Sequence, residues 1–241
     1  MVKGLQGAII AAGRGERLRK STRDDIPKPL VKLGGEAMLS RQARALIAAG
    51  ASSVVAVINS ETARLARQMA LEIPPSVSIV VRDTANSMET MLALGELLEP
   101  GWFIAATVDA VIPQVELARF VNESRLKIEN CGEKKLAGVL AVTRWRGETR
   151  PLFAKVNKNG LILRLGDRQT PMATAGIYFL STRVFDYAAD ARRGGLDALR
   201  RFLALVIERG MQLDAIEIEG SIDVDEASDL DAARVAIRKM P

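Results

Sequence analysis

A glycine-rich turn followed by two cationic side chains is the strongest chemical signal in the sequence. The segment Ala11-Ala12-Gly13-Arg14-Gly15 follows an apolar run, and Arg17 and Lys28 come after it, the lysine between Pro27 and Pro29. Glycines let backbone N–H groups approach a phosphate without a Cβ clash. Arg17 and Lys28 supply donors that hold phosphate oxygens. The two prolines predict an extended segment that restricts Lys28, so the pattern indicates a phosphate site.

This turn matches neither of the two common nucleotide-binding motifs. A dinucleotide fingerprint requires glycine where Leu18 stands, and a Walker loop requires Gly-Lys-Ser or Gly-Lys-Thr, which is absent here. A basic run lies between Gly13 and Pro27, and it indicates either a solvated surface or a loop that closes over a triphosphate. Its members are Arg14, Arg17, Arg19, Lys20 and Arg23.

Three aspartates are candidate ligands for a hard divalent metal ion. Asp109 follows a predicted strand, where a carboxylate faces the ligand crevice of a parallel sheet. Asp223 and Asp225 lie two residues apart, so in an extended segment both project to one face. Capping is the alternative, because a strand-end aspartate often caps a helix or forms a turn, and Asp225 precedes the last predicted helix. If these aspartates are metal ligands, the predicted cofactor is Mg²⁺.

The composition restricts the chemistry to carboxylates, Lys, Arg, hydroxyls and backbone amides. The 241 residues include no histidine and one cysteine, Cys131. Histidine-based catalysis, an internal disulfide and multi-cysteine metal sites are therefore excluded. With 48% hydrophobic and 26% charged residues, the chain can form a full core. The net charge of +5 favours a polyanionic ligand or only solubility, and 4% aromatic residues argue against nucleic acid as a partner.

The elements that must position these residues alternate between strands and helices in the first half of the chain. Strands are predicted at 7–12, 53–58, 77–81 and 102–108, and helices at 38–49, 61–71, 88–98 and 114–128. Alternation at this spacing predicts right-handed βαβ units. We therefore expect an α/β, Rossmann-like fold with a mixed, mainly parallel sheet flanked by helices.

The second half has a different pattern. A hairpin is predicted at 152–165 around the turn sequence Asn157-Lys158-Asn159-Gly160. Further strands are predicted at 136–142, 175–180 and 213–218, and helices at 182–192, 196–209 and 226–239. We expect a single domain over residues 1–241 with a small antiparallel insertion at 143–180. Without a signal segment or an apolar run of about 18 residues, we expect a cytoplasmic protein and no membrane partner.

Residues 11–18 (Ala-Ala-Gly-Arg-Gly-Glu-Arg-Leu), followed by Pro-Lys-Pro-Leu at 27–30, resemble the signature of the sugar-phosphate nucleotidyltransferases, also called nucleotide-sugar pyrophosphorylases. The resemblance extends to the far end of the chain and implies a Rossmann-like catalytic domain. It implies that Arg17 contacts the triphosphate and that Lys28 contacts the reacting phosphates. It also implies nucleotide binding by the turn residues Ala11, Ala12, Gly13 and Gly15.

The same resemblance extends to residues outside the turn. Asp109 matches the metal-binding aspartate of the family, and Asp223 matches the first aspartate of its C-terminal element, which favours Asp223 as the second ligand and Asp225 as a neighbour or co-ligand. Asn86 and Ser87 lie in a loop that resembles the family's base pocket, with an N-cap as the simpler interpretation. The segment 172–178 resembles one whose backbone contacts the acceptor, here near Gly176.

The activity that the resemblance implies joins a nucleoside triphosphate to a phosphorylated sugar or alcohol. The loop at 84–87 resembles that of pyrimidine-using members of the family, which favours CTP or UTP. Lys155 either binds the acceptor phosphate or faces water. The chain has Leu165-Gly166-Asp167-Arg168 where hexose-phosphate enzymes of the family carry Glu-Lys-Pro. The acceptor is therefore a sugar-1-phosphate, a polyol phosphate or phosphocholine. The alternatives to this enzyme are a nucleotide sensor without turnover and a glycosyltransferase that consumes nucleotide sugars.

Overall fold

The fold consists of short strands and helices that follow one another along most of the chain. The computed structural model describes residues 4–131, 136–145, 151–166 and 168–239, so Asp167 lies outside the described residues. The strands are β1 (Leu5–Ala11), β2 (Lys32–Leu33), β3 (Glu36–Ala37), β4 (Ala51–Ile58), β5 (Val77–Val81), β6 (Trp102–Thr107), β7 (Ala110–Val111), β8 (Leu136–Arg144), β9 (Phe153–Val156), β10 (Ile162–Gly166), β11 (Met172–Ser181), β12 (Gln212–Glu217) and β13 (Ile222–Asp223).

Helices lie between half of the consecutive strand pairs of the described residues. They are α1 (Glu16–Thr22), α2 (Met38–Ala48), α3 (Ser60–Gln68), α4 (Ser87–Gly95), α5 (Gln114–Cys131), α6 (Ala188–Arg193), α7 (Leu199–Glu208) and α8 (Ala227–Lys239), with 3₁₀ helices at Lys28–Leu30 and Thr182–Tyr187. In the part of the chain that the structure describes, no helix combines the length and apolar character needed to cross a bilayer.

Nine of the described strands form one mixed sheet. Its order is β10-β9-β11-β6-β1-β4-β5, with β8 on the second edge of β11 and β12 beside β8. The strands β6, β1, β4 and β5 are parallel to one another, whereas β11 is antiparallel to β6, β8 and β9. The predicted Rossmann-like α/β fold with a mixed, mainly parallel sheet is confirmed.

Strand β11 connects the parallel and antiparallel parts of the sheet. Its second half, from Ile177 to Ser181, pairs with β6, while Met172 and Ala173 at its start pair with β9. The β9–β10 hairpin is present as predicted, and its turn includes Gly160 with a φ of +85°. The long strand β11 therefore extends the sheet beyond the end of β6.

Both faces of the sheet are covered by helices. Along β1, Ile9 and Ala11 face one hydrophobic cluster, whereas Ala8 and Ile10 face the other. Helices α2, α5 and α8 contribute to the first cluster, and α4 and α7 contribute to the second. Strands that are buried on both faces are expected to be almost continuously apolar, and this explains the uninterrupted apolar runs in the sequence.

Helix α1 occupies the region where the sequence predicts a loop. Residues Glu16–Thr22 are helical, Leu18 is buried in the first cluster, and the hydroxyls of Ser21 and Thr22 donate to the carbonyl oxygen of Leu18. The backbone N–H of Ala227, at the start of α8, donates to the Ser21 hydroxyl at 2.9 Å. The predicted loop is therefore a helix at Glu16–Thr22, anchored by a buried side chain and a contact to α8, and its closure over a triphosphate stays a prediction.

A two-residue strand pair brings the C-terminal segment to the end of β6. Strand β13 runs antiparallel to β7, with Asp223 opposite Ala110. The N–H of Val224 donates to the carbonyl oxygen of Asp109 at 3.1 Å. This pairing brings the segment that contains Asp223 and Asp225 next to Asp109, which follows β6.

Candidate active site

The glycine-rich turn follows β1 and lines a cavity of about 1010 Å³. Gly15 has a φ of +64°, in the left-handed region that favours glycine, and it immediately precedes α1. A Cβ at Gly15 would lie 2.8 Å from the Cβ of Lys28, so the turn and the lysine are in close contact. The predicted nucleotide-binding residues of the turn all line the cavity: Ala11, Ala12, Gly13 and Gly15.

Lys28 reaches this cavity from a tight turn. The predicted extended segment is wrong, because Lys28–Leu30 form a 3₁₀ helix in which the N–H of Leu30 donates to the carbonyl oxygen of Pro27 at 2.8 Å. Pro29 fits at the start of this helix because its missing N–H would have no helical partner there. Lys28 is 8% exposed. The prolines thus restrict the lysine as expected, but through a helical turn.

The ammonium of Lys28 lies between two carboxylates. Its Nζ donates to Asp109 Oδ2 and to Asp225 Oδ1, each at 2.8 Å. Burial lowers the pKa of Lys28, but the charges of the two aspartates outweigh burial and raise it. Burial raises the pKa of Asp109, but the Lys28 charge and a hydrogen bond from Thr107 outweigh burial and lower it. Lys28 and Asp109 are therefore a charged pair at neutral pH.

Arg17 binds the second oxygen of the same carboxylate. Its guanidinium lies 2.9 Å from Asp225 Oδ2, and its side chain is 46% exposed. Asp225 therefore receives Lys28 on one oxygen and Arg17 on the other. The structure brings together the three residues expected to be catalytic, Arg17, Lys28 and Asp109, at the cavity wall. Asp225 lies among them and binds both cations.

The alternative role of Asp225 as the cap of the last helix is wrong. The backbone N–H groups of Asp225 and Glu226 both donate to Asp229 Oδ2, at 3.0 and 2.8 Å. Asp229 in the first turn of α8 therefore performs the capping, since its carboxylate accepts the free N–H groups before the helix. The side chain of Asp225 remains directed to Lys28 and Arg17.

Asp223 lies near the acceptor segment and does not line the cavity. Its Oδ1, the hydroxyl oxygen of Thr107 and the Cβ of Ala110 all lie within 3.5 Å of the point that a Cβ on Gly176 would occupy. Gly176 has a φ of +71°, so glycine is favoured there for its backbone as well as for the space. Asp223 is thus close to the end of β6, near the Thr107 hydroxyl that hydrogen-bonds Asp109.

The carboxylates fit a Mg²⁺ ion that binds together with a nucleotide. Within the described residues, no group of three or more His, Cys, Asp or Glu side chains forms a ready-made metal site. Asp109 and Asp225 nevertheless converge on one ammonium at the cavity wall. Mg²⁺ prefers one or two carboxylates supplemented by substrate phosphates and water, so two carboxylates suit this ion.

Residues 7–192 match the family model of the MobA-like NTP transferase domain, which is more than half of the chain. The chain belongs to this family. The resemblance to nucleotidyltransferases that the glycine turn indicates is thereby confirmed.

Two further comparisons place this MobA-like domain among known proteins. Mannose-1-phosphate guanyltransferase of Gibberella zeae is 27% identical over 240 residues, which cover 93% of this chain and 62% of that relative. The chain thus spans about three fifths of that protein's length.

Solved structures share the fold. The inositol-1-phosphate CTP transferase of T. maritima superposes with a TM-score of 0.76 at 16% identity, covering 100% of this chain and 98% of that one. A UDP-glucose pyrophosphorylase complexed with UDP-glucose superposes with a TM-score of 0.77 at 14% identity, covering 100% of both chains.

In this MobA-like domain, Asn86 and Ser87 line the same cavity as the glycine turn. The Oδ1 of Asn86 accepts from the N–H of Glu89 at 3.0 Å, so the simpler interpretation of an N-cap for α4 is confirmed. The amide Nδ2 of Asn86 has no partner among the described residues and stays available to a ligand. The hydroxyl of Ser87 accepts from the N–H of Leu199 and retains its hydrogen for donation.

The two predicted acceptor residues lie outside the cavity lining. Lys155 is exposed on β9, where it pairs with Arg164 of β10. Gly176 lies in β11 at the irregularity between Thr174 and Tyr178. Burial raises the pKa of Tyr178, and the charges of Asp223 and Asp109 raise it further.

Asn59 and Thr107, which are not among the site residues predicted from the sequence, also line the cavity. The Nδ2 of Asn59 donates to the carbonyl oxygen of Ala12 at 3.0 Å, and its Oδ1 accepts from the N–H of Thr62 at 2.8 Å. The Thr107 hydroxyl hydrogen-bonds Asp109. Both residues lie at the carboxyl ends of parallel strands, the rule that identified Asp109, so the same signal could have found them.

Proposed function

We propose that this chain is a nucleotidyltransferase that joins a nucleoside triphosphate to a phosphorylated sugar or alcohol and releases pyrophosphate. The observation that carries the proposal is the position of Lys28, buried against the glycine turn and bound to Asp109 and Asp225. A buried ammonium with two carboxylates at a phosphate-binding turn suits the transfer of charged phosphoryl groups. Membership of the MobA-like family supports it further.

The chemistry requires positioning more than proton transfer. An oxygen of the acceptor phosphate attacks the α-phosphorus, the bond from that phosphorus to the bridging oxygen of the β-phosphate breaks, and pyrophosphate leaves with the electron pair. The attacking phosphate is already ionised at neutral pH, so no general base is needed, in keeping with a chain that lacks histidine. Lys28 and Arg17 then hold phosphate oxygens and reduce the repulsion between the two anions.

The charge of the cavity wall supports a nucleotide that arrives with a divalent cation. Four cationic side chains line the cavity, namely Arg14, Arg17, Arg19 and Lys28, against five acidic ones, namely Glu16, Glu61, Asp83, Asp109 and Asp225. Because the wall carries one more negative than positive charge, a bare triphosphate would be poorly neutralised. We therefore propose that the substrate is the Mg²⁺ complex of the triphosphate.

Asp109 and Asp225 are the proposed Mg²⁺ ligands. Bound there, the ion would neutralise phosphate oxygens on the nucleotide and the acceptor. The chain's own contribution is to hold the two carboxylates: Lys28 fixes one oxygen of each, and Arg17 fixes the other oxygen of Asp225. Asp223, which the resemblance favours as the second ligand, lies beside Gly176, and we assign it to the acceptor side.

We further propose a monophosphate of a ring sugar or cyclic polyol as the acceptor and a pyrimidine triphosphate as the donor. Mannose-1-phosphate and inositol-1-phosphate, named for the two relatives, are such monophosphates, and the relatives' names include one guanyl and one CTP donor. Gly176, Asp223 and Lys155 are the proposed acceptor residues. The free amide of Asn86 is a donor suited to a carbonyl oxygen on the base, such as O2 of cytosine or uracil.

A pyrophosphate-release screen tests the proposal. ATP, GTP, CTP and UTP are each offered with mannose-1-phosphate, inositol-1-phosphate, glucose-1-phosphate and phosphocholine, with Mg²⁺ and with the chelator EDTA. We expect acceptor-dependent, Mg²⁺-dependent release with CTP or UTP and a sugar or polyol phosphate. Saturable nucleotide binding without release in all combinations would support a sensor instead. Release of a nucleoside diphosphate from a nucleotide sugar would support a glycosyltransferase.

A further inference from the structure

A second ion pair, which does not involve Lys28, lines the same cavity. Arg19 on α1 binds Glu61 in the first turn of α3, with 2.7 Å between Nη2 of Arg19 and Oε1 of Glu61. The side chain of Arg19 is 20% exposed and that of Glu61 is 43% exposed. Both residues line the cavity. The pair therefore connects two helices across the space in which the phosphates are proposed to bind.

Arg19 makes little use of its hydrogen-bonding capacity. One nitrogen, Nη2, donates both to Glu61 and to the carbonyl oxygen of Asp25, the latter at 2.9 Å. The Nε of Arg19 is buried and has no partner within the described residues. A buried donor without a partner is costly, and a guanidinium presents its donors in a planar fork that matches phosphate. The state shown leaves this arginine incompletely bonded.

We propose that Arg19 is a further ligand of the phosphate chain and that Glu61 holds the place of a phosphate oxygen until the nucleotide binds. This inference rests on the proposed function and deepens it. A phosphate offers several oxygens to the fork, whereas Glu61 engages a single nitrogen. Glu61 is partly exposed, so its carboxylate is hydrated by water when a phosphate replaces it. Breaking the ion pair with Arg19 therefore costs little free energy. Glu61 thereby reduces the affinity of the site for phosphate.

The two members of the pair have opposite expected effects. Glu61→Gln removes the competing charge and tightens phosphate binding about threefold to fivefold, the range for a partly exposed ion pair. Arg19→Gln removes a charged donor and weakens binding about tenfold or more. In the double variant the gain from Glu61→Gln disappears, because that gain acts through Arg19.

Calorimetric titration with inorganic pyrophosphate and Mg²⁺ is the test, since pyrophosphate fills the phosphate subsite whatever the base. The matched control is Glu36→Gln, which removes the carboxylate from the Arg44–Glu36 pair, also at 2.7 Å but outside the cavity. The control is expected to bind as the unaltered chain does. Thermal melting of every variant checks the fold.

Three outcomes would overturn the inference: no pyrophosphate binding by the unaltered chain, no tightening in Glu61→Gln beyond that of Glu36→Gln, or tightening that persists in the Arg19→Gln background. The second and third outcomes are distinguishable from failure of the proposed function, because in both the unaltered chain still binds pyrophosphate. A chain that binds pyrophosphate with the expected variant pattern but releases none from any triphosphate would defeat the function and retain the phosphate site.

Discussion

Lys28 joins parts of the chain that are far apart in sequence. Its two partners, Asp109 and Asp225, lie 81 and 197 residues away. Without the ammonium, two carboxylates would face one another with only Arg17 to offset them. Lys28 therefore organises the site as the proposed phosphate ligand, and it packs directly against Gly15.

Gly15→Ala is predicted to impair the site through contact with Lys28. The new Cβ would lie 2.8 Å from the Cβ of Lys28, closer than such atoms approach in proteins, at a φ of +64°. We expect a melting temperature several degrees lower, since a left-handed residue with a side chain costs about 1–2 kcal/mol, and a turnover reduced by about tenfold or more as Lys28 shifts. Circular dichroism and pyrophosphate release measure the two effects.

The control for this prediction is Gly195→Ala. Gly195 has the same φ of +64°, but no heavy atom of the described residues lies within 4 Å of its added Cβ. It shares the backbone strain and lacks the contact, so it should lower stability by a similar amount and leave turnover per folded molecule unchanged. Equal turnover in the two variants would refute the link between Gly15 and Lys28.

The start of α3 stabilises the glycine-rich turn from the neighbouring strand. Asn59 follows β4, is 7% exposed, accepts from Thr62 as the N-cap of α3 and donates to Ala12. One side chain thus joins a helix end to the backbone of the turn. This contact is independent of the charged residues.

Asn59→Asp is predicted to separate these two roles. The carboxylate keeps the capping oxygen but lacks the donor, so it places a negative charge against the carbonyl oxygen of Ala12. We expect the KM for the triphosphate to rise about tenfold with a smaller change in kcat, since the turn is displaced. Asn157→Asp, in the β9–β10 turn where Oδ1 only accepts, should leave both constants unchanged. A KM equal to that of the unaltered chain would contradict this role for Asn59.

The sequence predicts the elements with long, regular patterns better than the contacts between them. The strand at 77–81 and the start of the helix at residue 38 occur at the predicted positions, because an apolar run or a 3.6-residue period spans each element. Helix α1 was not predicted, since a short basic segment has a weak period. The β7–β13 pair was not predicted either, because two residues carry no pattern and their partners are about a hundred positions apart.

In the candidate site too, the sequence predicts some residues from their place in an element but not the contacts between elements. Residues at strand ends, such as Asp109, are selected by a rule of the whole fold. The preference for Asp223 over Asp225 as the second metal ligand rests on the resemblance to the family, because no spacing rule in the sequence separates the two, and it stays a prediction. The structure places Asp225 against Lys28 and Asp223 beside Gly176.

The whole molecule combines a positive net charge with an acidic cavity wall. The chain carries +5 overall, yet its acidic cavity residues outnumber the basic ones. The excess positive charge therefore lies outside the described cavity wall. This distribution favours attraction of anionic substrates at a distance and a divalent cation at the site.

Stability of the molecule is predicted to be flat near neutral pH and to fall in acid. Hydrogen bonds from Ser60, Arg192 and Arg119 lower the pKa values of Asp83, Glu89 and Glu116, respectively. Carboxyls with lowered folded-state pKa values stabilise the fold above their unfolded values of 3.8 and 4.5, and this stabilisation is lost as the pH falls through the folded values.

The chain has no histidine, the side chain whose ordinary pKa lies between about pH 5 and 8. The melting temperature followed by circular dichroism should therefore be constant from about pH 6 to 8 and decrease below about pH 4. A change of many degrees between pH 6 and 8 would show that another group governs stability.

Steady-state pyrophosphate release by Lys28→Ala and Asp109→Asn, with Lys158→Ala as the control, tests the central claim most directly. Lys158 is exposed in the β9–β10 turn and carries the same charge as Lys28. With the substrate pair found in the screen, we predict that the two site variants lose turnover by about 10²–10³-fold, the effect of removing one preorganised charged group, while the control matches the unaltered chain. Undiminished release by folded Lys28→Ala and Asp109→Asn proteins would contradict the assignment of this cavity as the active site.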